Sequence, residues 1–383
     1  MHCPYCVSHR SLAGATVLVT LCAMLAACGS SHKGTTAHKL TGKAKVGMVS
    51  PSQLGGQTDY AALQALYRRA LAAGQRTVVV YGPSAGTDAP LYALFHRDFP
   101  GITVSGVPVV GPPMTAKLSA EFASGKHVAD IAYTGNTDML AYSAKGWLRP
   151  FMPRTLPSTS QLPADTLGPR DTFVGTSVAV SGTVTNTSLV PAKAVPTTWQ
   201  QLLAPRWKGE IAMYDPTVVG EMADVFAHLD RVGLAQLMPG LHAQNVQISP
   251  ATNLTGPLTA VAQGAKQLAI ATPFAFYMGA KKAGAPVRFT LFDSDNYSVT
   301  LYMGQLRGAP DPLASELYED WLLTPQAAGG IAREGAFSPI PGAPAPSGLP
   351  PLAQIKLFPV IPLPQVESAD NGAIARAKRY WGS

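Results

Sequence analysis

Charge is scarce in this chain: 13% of its 383 residues are Asp, Glu, Lys or Arg, against 46% hydrophobic. So apolar a composition over that length supplies ample core and excludes an intrinsically disordered protein. The net charge is only +7, and the basic residues form no run. With no nucleic-acid-binding motif either, nucleic acid is excluded as a partner, and a mild attraction for anions is all the surplus supports. Cysteine is rarer still. The four present are Cys3, Cys6, Cys22 and Cys28, so everything after residue 28 is free of thiols. Disulfides, cysteine metal sites and cysteine catalysis are therefore excluded from the body of the protein. Histidine stops at His242. Glycine and proline, by contrast, are plentiful at 36 and 34 residues, which marks a loop-rich fold.

The early cysteines belong to targeting. Residues 1–27 read as a signal peptide: a short head carrying Arg10, then the apolar run LAGATVLVTLCAM, too short and too poorly flanked for a membrane span. The string LAAC at 25–28, followed by Gly29-Ser30-Ser31, resembles the lipobox of bacterial lipoproteins. That resemblance implies a lipid on Cys28, which would hold the chain on a membrane surface. CPYC at 3–6, a redox or zinc pattern elsewhere, leaves with the signal. Residues 28–57, rich in Ser, Thr, Gly and Lys, read as a flexible tether.

From residue 58 onward, amphipathic and β-branched segments alternate. Helical spacing over 59–74, a strand at 77–81, a helix over 89–101, a strand at 102–110, a helix over 113–125, a strand at 129–135 and a helix over 136–147 predict a mostly parallel sheet with helices on both faces. Residues 173–190 form a long β-rich stretch suited to crossing between lobes. A second alternating set follows, with helices expected at 197–203, 220–230, 233–238, 254–263 and 273–284 and strands at 210–214, 245–248 and 267–271. Residues 287–306 are β-rich again and return the chain. Residues 311–335 are helical, the Pro-rich tail 339–352 reads as a surface strap, and 372–382 as a last helix. The fold class is α/β, in two lobes: 58–180 with 297–383 as lobe one, and 181–296 as lobe two.

One short stretch poses the functional question. The strand ending at Tyr81 runs into Gly82-Pro83-Ser84-Ala85-Gly86, which has the G-x-S-x-G spacing of a hydrolase nucleophile elbow. The elbow requires a later acid and then a histidine; Asp215 with His228 or His242 satisfies that order. Two features oppose it. The Ser84 strand is the first of its domain, so no earlier strand supplies an oxyanion loop, and no histidine follows His242. The chain is therefore not expected to be an enzyme. In open parallel sheets, ligands sit beyond the carboxyl ends of strands, where helix N-termini present free N–H groups. Ser84 and Thr87, then Asn136 and Thr137, occupy such turns. Thr217 and Gly220 in DPTVVGE, and Asn253 in PATNLTGP, occupy them in the second set. Each of these residues serves equally as a helix cap or turn former.

At this point three blocks resemble one family. VPTTWQQLLAPRWKGEIAMYDPTVVG (195–220), VVVYGPSAGTDAPLYALFHRDFPGI (78–102) and MGQLRGAPDPLASELYEDWLLTPQAAGGIAREGAFSPI (303–340) resemble the ferric- and phosphonate-type solute-binding proteins of bacterial ABC importers. The resemblance covers most of residues 76–383, and its most specific part is the Trp199, Trp207-Lys208-Gly209 block. It implies the two-lobed periplasmic-binding-protein fold of type II, with discontinuous lobes joined by two crossing strands. It further implies a monomer, without cofactor, that captures a small ligand between its lobes. Delivery would be to an ABC permease and its ATPase, at the outer face of the cytoplasmic membrane or in the periplasm.

Iron-binding members of that family carry adjacent tyrosines near ATPFAFYMG (271–279), because phenolates suit Fe(III). Here Phe276-Tyr277 offers a single phenol. The expected ligand is therefore a small oxyanion (a phosphonate, phosphate ester or carboxylate), with Tyr277 and Tyr297 also in the cleft and no metal. The alternatives are ferric iron or an iron complex on Tyr277, Tyr214 and Tyr133, a ligand-sensing lipoprotein, and a serine hydrolase using Ser84.

Overall fold

The alternation of β-branched runs and amphipathic segments folds as a single mixed sheet flanked by helices. The computed structural model describes residues 49–83, 88–150, 156, 162, 166–250 and 252–382. The signal peptide, Cys28, most of the expected tether, and Ser84 and Thr87 lie outside the described residues.

The first set comprises α1 (Gln57–Ala72), β1 (Thr77–Gly82), α2 (Ala89–Asp98), β2 (Thr103–Pro108), α3 (Gly111–Ser124), β3 (Ile131–Thr134) and α4 (Asn136–Ala144). β1 lies between β2 and β3 and is parallel to both. Val78 and Val80 alternate into a core with Leu63, Phe95, Tyr318 and Trp321. α3 stops at Gly125, whose φ of 66° only glycine adopts freely.

β4 (Val174–Asn186) then crosses into the second set: β5 (Ile211–Tyr214), α5 (Glu221–Arg231), α6 (Leu237–Ala243), β6 (Gln247–Ser249), α7 (Gly256–Ala262), β7 (Leu268–Pro273), α8 (Phe274–Lys282) and β8 (Val287–Thr290). β5 is parallel to β6 and β7. β9 (Tyr297–Gln305) returns the chain, followed by α9 (Pro312–Leu322), α10 (Pro325–Arg333) and α11 (Leu363–Trp381). The strand order is β2-β1-β3-β9-β4-β7-β5-β6, with β8 also on β4. The two parallel sets are thus joined through β9 and β4, which run antiparallel to their neighbours. These are the two crossing strands that the resemblance implies, in an α/β fold of periplasmic-binding-protein type II.

Several expectations need correcting. Residues 197–203 do not form an α-helix; a short 3-10 turn, Gln200–Leu203, stands there and Pro205 opens another. The helix expected at 233–238 lies at Leu237–Ala243 instead. The helix expected over 311–335 is two, divided at Thr324-Pro325, where the Thr324 hydroxyl accepts from the Ala327 amide and starts a new helix. The expected tether ends early: Val49 and Leu54 are buried in the first core.

The last helix begins at Leu363, with Pro364 in its first turn, where a missing N–H is harmless. Apart from a contact with α4 through Thr137 and Asp370, it packs away from the first set, to which residues 297–383 were expected to belong. Its apolar side, Val366, Ala373 and Ala377, closes over the core of the second set with Phe226, Leu237 and Leu241. The physical reason is the spacing of those residues on one face of α11, which matches the apolar faces of α5 and α6.

Candidate functional site

The carboxyl ends of β1, β2, β3 and β5 converge. Beyond them lies a cavity of about 180 Å³, walled by Pro83 after β1, Val110 and Gly111 after β2, Asn136 after β3, and Tyr214 and Gly220 around the end of β5. Close approach at the β1 end needs glycine: a Cβ on Gly82 would stand 2.5 Å from the Tyr133 carbonyl. The N-termini of α3, α4 and α5 all open on this space. The crossing strand β9 supplies Tyr297, Val299 and Leu301, and α8 supplies Phe276.

The charged groups are the less expected part. Asp138 from α4, Glu221 and Asp224 from the first turn of α5, and Asp370 from α11 all line the cavity. No Lys or Arg does so among the described residues. Each carboxylate is held by a hydroxyl: Thr134 donates to Asp138 at 3.2 Å, Ser181 to Glu221, Tyr297 to Asp224 at 2.7 Å and Thr137 to Asp370 at 2.7 Å. Tyr214 donates to the Leu254 carbonyl at 2.7 Å.

Burial raises all four carboxyl pKa values, because the charged form loses its hydration. Glu221 is pushed up to about 8, with the neighbouring Asp224 charge adding to the effect of burial and the Ser181 bond opposing it. Asp138 is raised by burial against the Thr134 bond. Asp224 and Asp370 lie within hydrogen-bond reach of each other and both are raised, first by burial and, for Asp370, next by the Asp224 charge. His228, four residues along α5, stands 3.6 Å from Asp224 and stacks on Phe358. Burial lowers its pKa to about 4, so the imidazole is neutral above that pH.

Among the residues singled out from sequence, Asn136, Thr137, Gly220 and Tyr297 line this cavity, as does Tyr214. Thr217 does not: its amide and hydroxyl both turn onto Asp215 Oδ1, at 2.8 and 2.7 Å. Asn253 lines an adjoining hollow that shares Val110, Thr252 and Leu254 with the main cavity. Tyr277 packs on Phe274 and Phe289, and its neighbour Phe276 faces the cavity instead. Tyr133 is buried against Ser177, their hydroxyls 2.7 Å apart. Tyr133, Tyr214 and Tyr277 are therefore not gathered in this structure. Among the described residues no group of three or more His, Cys, Asp or Glu is arranged to hold a metal ion. The acid-histidine pairing considered for hydrolysis is not formed either, since Asp215 serves Thr217, while His228 meets Asp224 and His242 packs on Tyr380 and Trp381.

Asp138, Glu221, Asp224, Asp370 and Phe276 escaped the sequence reading. The one local signal was the i, i+3 spacing of Glu221 and Asp224, which places both on one side of α5.

A sequence profile of the bacterial extracellular solute-binding proteins matches residues 126–361. No curated protein matches the chain. Solved structures do. Iron-bound HitA from Pseudomonas aeruginosa is 17% identical, with a TM-score of 0.66 over 80% of this chain and 99% of that one. The substrate-binding protein of an ABC transporter from Agrobacterium tumefaciens is 18% identical, with a TM-score of 0.67 over 80% and 94%. AfuA from Actinobacillus pleuropneumoniae, with fructose-6-phosphate bound, is 17% identical, with a TM-score of 0.66 over 80% and 98%. At these identities the likeness is one of fold.

Proposed function

The chain belongs to the bacterial extracellular solute-binding proteins, and from that membership we propose that it captures a small ligand in the described cavity and delivers it to an ABC permease. The observation that carries this reading is the placement of the cavity. It lies beyond the carboxyl ends of strands from both parallel sets, between β9 and the N-termini of α3, α4 and α5. A ligand there touches both halves of the molecule at once, so binding energy favours the arrangement in which the halves close on it.

The family places the protein outside the cytoplasm. Among the described residues no helix is long and apolar enough to cross a membrane. Attachment would then come from a lipid on Cys28 after removal of residues 1–27, with the protein acting as a monomer. Ser84 and Thr87, which follow β1 in the sequence, would also contribute to ligand binding. The nearby structures hold iron in one case and a sugar phosphate in another. The helix N-termini support an oxyanion here, and Tyr214 and Tyr297 support iron; the carboxylates weigh against the first, and the protonated phenols against the second.

The test is retention of ligand. A Val299→Trp variant fills the cavity from the middle of β9. Native mass spectrometry of the purified chain should show a small molecule on the wild type and none on the folded variant. Uptake by cells lacking the gene should return with the wild type alone. Equal retention or equal uptake by Val299→Trp would place the ligand elsewhere.

A further inference from the structure

The hydroxyls around the cavity already donate to protein acceptors: Thr134, Thr137 and Tyr297 to carboxylates, and Tyr214 to a carbonyl. Apart from the amide N–H groups at the helix N-termini and the side chains of Asn136 and Thr252, what faces a ligand is accepting capacity, concentrated in four carboxylates. Asp370 shows this most sharply. Its side chain is buried, at 3% exposure, and one oxygen takes the Thr137 proton, but Oδ1 faces no donor. The group beside it is the Asp224 carboxyl, another acceptor, whose Oδ2 already takes the Tyr297 proton. Two facing carboxylates cohere only with a proton between them or with a cation that donates to both.

Helix dipoles account for part of the arrangement. Asp138, Glu221 and Asp224 sit in first turns, where a partial positive charge favours anions. Asp370 lies well inside α11, away from the ends of its own helix, and meets the first turn of α4 through the Thr137 hydroxyl. An ammonium group has three N–H donors and no acceptor, which complements these oxygens. Beside the polar Thr134, Asn136, Thr137 and Thr252, the lining carries an apolar and aromatic surface that includes Phe276, Tyr297, Val299 and Leu301. That surface suits a carbon body beside the charge, and aromatic faces attract cations. A bare metal ion would leave those walls without a partner.

We propose that the ligand is a small organic ammonium ion. Its N–H groups would engage Asp370, Asp224 and Glu221, and its carbon body would lie against Phe276, Val299 and Leu301. This inference rests on the cavity being the solute site, and it changes the sign of the ligand from the oxyanion that the sequence favoured. Binding displaces the proton held between Asp224 and Asp370, so affinity rises with pH. The titratable groups facing that pair are Asp138 from α4, Glu221 and the neutral His228 from α5, and Tyr297 from β9.

The experiment is a melting-temperature and calorimetric titration of the full chain with three probe classes: propylammonium and 1,4-diaminobutane, methylphosphonate and inorganic phosphate, and ferric citrate. An ammonium probe should raise the melting temperature, because it binds only the folded form. Its affinity should increase several-fold between pH 6 and pH 8. Asp370→Asn should weaken it about tenfold, in line with losing a charge-assisted bond, and should flatten the pH dependence. Phe276→Ala leaves the carboxylates intact and should weaken diaminobutane without altering its pH dependence. A shift from phosphonate, phosphate or ferric citrate, with none from either amine, would overturn the ammonium assignment and leave solute capture standing. Silence from all three classes would overturn both.

Discussion

Thr137 Oγ1, in the first turn of α4, donates to Asp370 Oδ2 within α11 at 2.7 Å, linking residues 233 positions apart. α4 belongs to the first parallel set, while α11 packs on the core of the second. The bond therefore ties the two sides of the cavity through a buried carboxylate. Thr137→Val keeps the shape of the side chain and removes the donor. It should lower unfolding free energy by about 1–3 kcal/mol, the cost of leaving a buried acceptor unsatisfied. Urea denaturation reads this directly. An unchanged midpoint would mean that the Asp370 carboxyl is neutral and tolerates the loss.

The carboxylates also set how stability varies with pH. A group whose pKa is raised on folding binds its proton more tightly in the native state, so stability falls as pH rises from its ordinary value to the raised one. Glu221 moves from 4.5 to about 8, so the ligand-free chain should lose stability between those limits. Asp224 and Asp370 add to the loss in the same direction. His228 acts oppositely over a lower window: with its pKa lowered from 6.5 to about 4, it adds stability as pH rises between those values. Above pH 6.5 only the carboxylates remain, and melting temperature should fall toward pH 8. Glu221→Gln should flatten that fall. A profile rising from pH 6.5 to pH 8 in the wild type would contradict the burial of these groups.

Much of this was legible in the sequence, for a physical reason. Strand and helix periods are local, so β1, β3, β5 and their following helices could be read directly, and with them the turns that hold Asn136 and Gly220. The rest depended on distances in space. Asp370 is brought to the cavity by a helix that the sequence reading began at 372 and the structure begins at Leu363. Phe276 and Tyr277 are adjacent on α8 and point about 100° apart, so which of them faces the ligand depends on helix phase. Thr217 was misplaced by its own neighbour: Asp215 captures its hydroxyl in a local turn. Glu221 and Asp224 look like ordinary first-turn acids until Asp370 is seen opposite.

Tyr297 lies on the crossing strand and donates to Asp224 at 2.7 Å, a bond that lowers the Asp224 pKa against the effect of burial. Tyr297→Phe removes that support while preserving the ring at the cavity wall. The Asp224–Asp370 pair should then hold its proton to higher pH. Tritration of the pair by carboxyl NMR should show an upward shift in Tyr297→Phe relative to wild type. No shift, or a downward one, would remove Tyr297 from the network.

Gly82 closes β1 beside Pro83, which lines the cavity. A Cβ there would stand 2.5 Å from the Tyr133 carbonyl and 2.9 Å from the Tyr133 Cβ, both on β3. Backbone cannot yield as a flexible side-chain tip does, so β1 and β3 would have to separate at their carboxyl ends. Gly82→Ala should therefore cost about 1–3 kcal/mol, the usual range for overpacking. The strain would lie at the cavity rather than in the distant core. Ligand affinity should accordingly fall in the variant even at temperatures where it remains fully folded. Hydrogen exchange localises the effect: amides of Tyr81, Gly82 and Thr134 should exchange faster, while those of β5 and β6 stay protected as in the wild type. Uniform loss of protection across both parallel sets would show instead that the contact supports the whole fold and has no special place at the cavity.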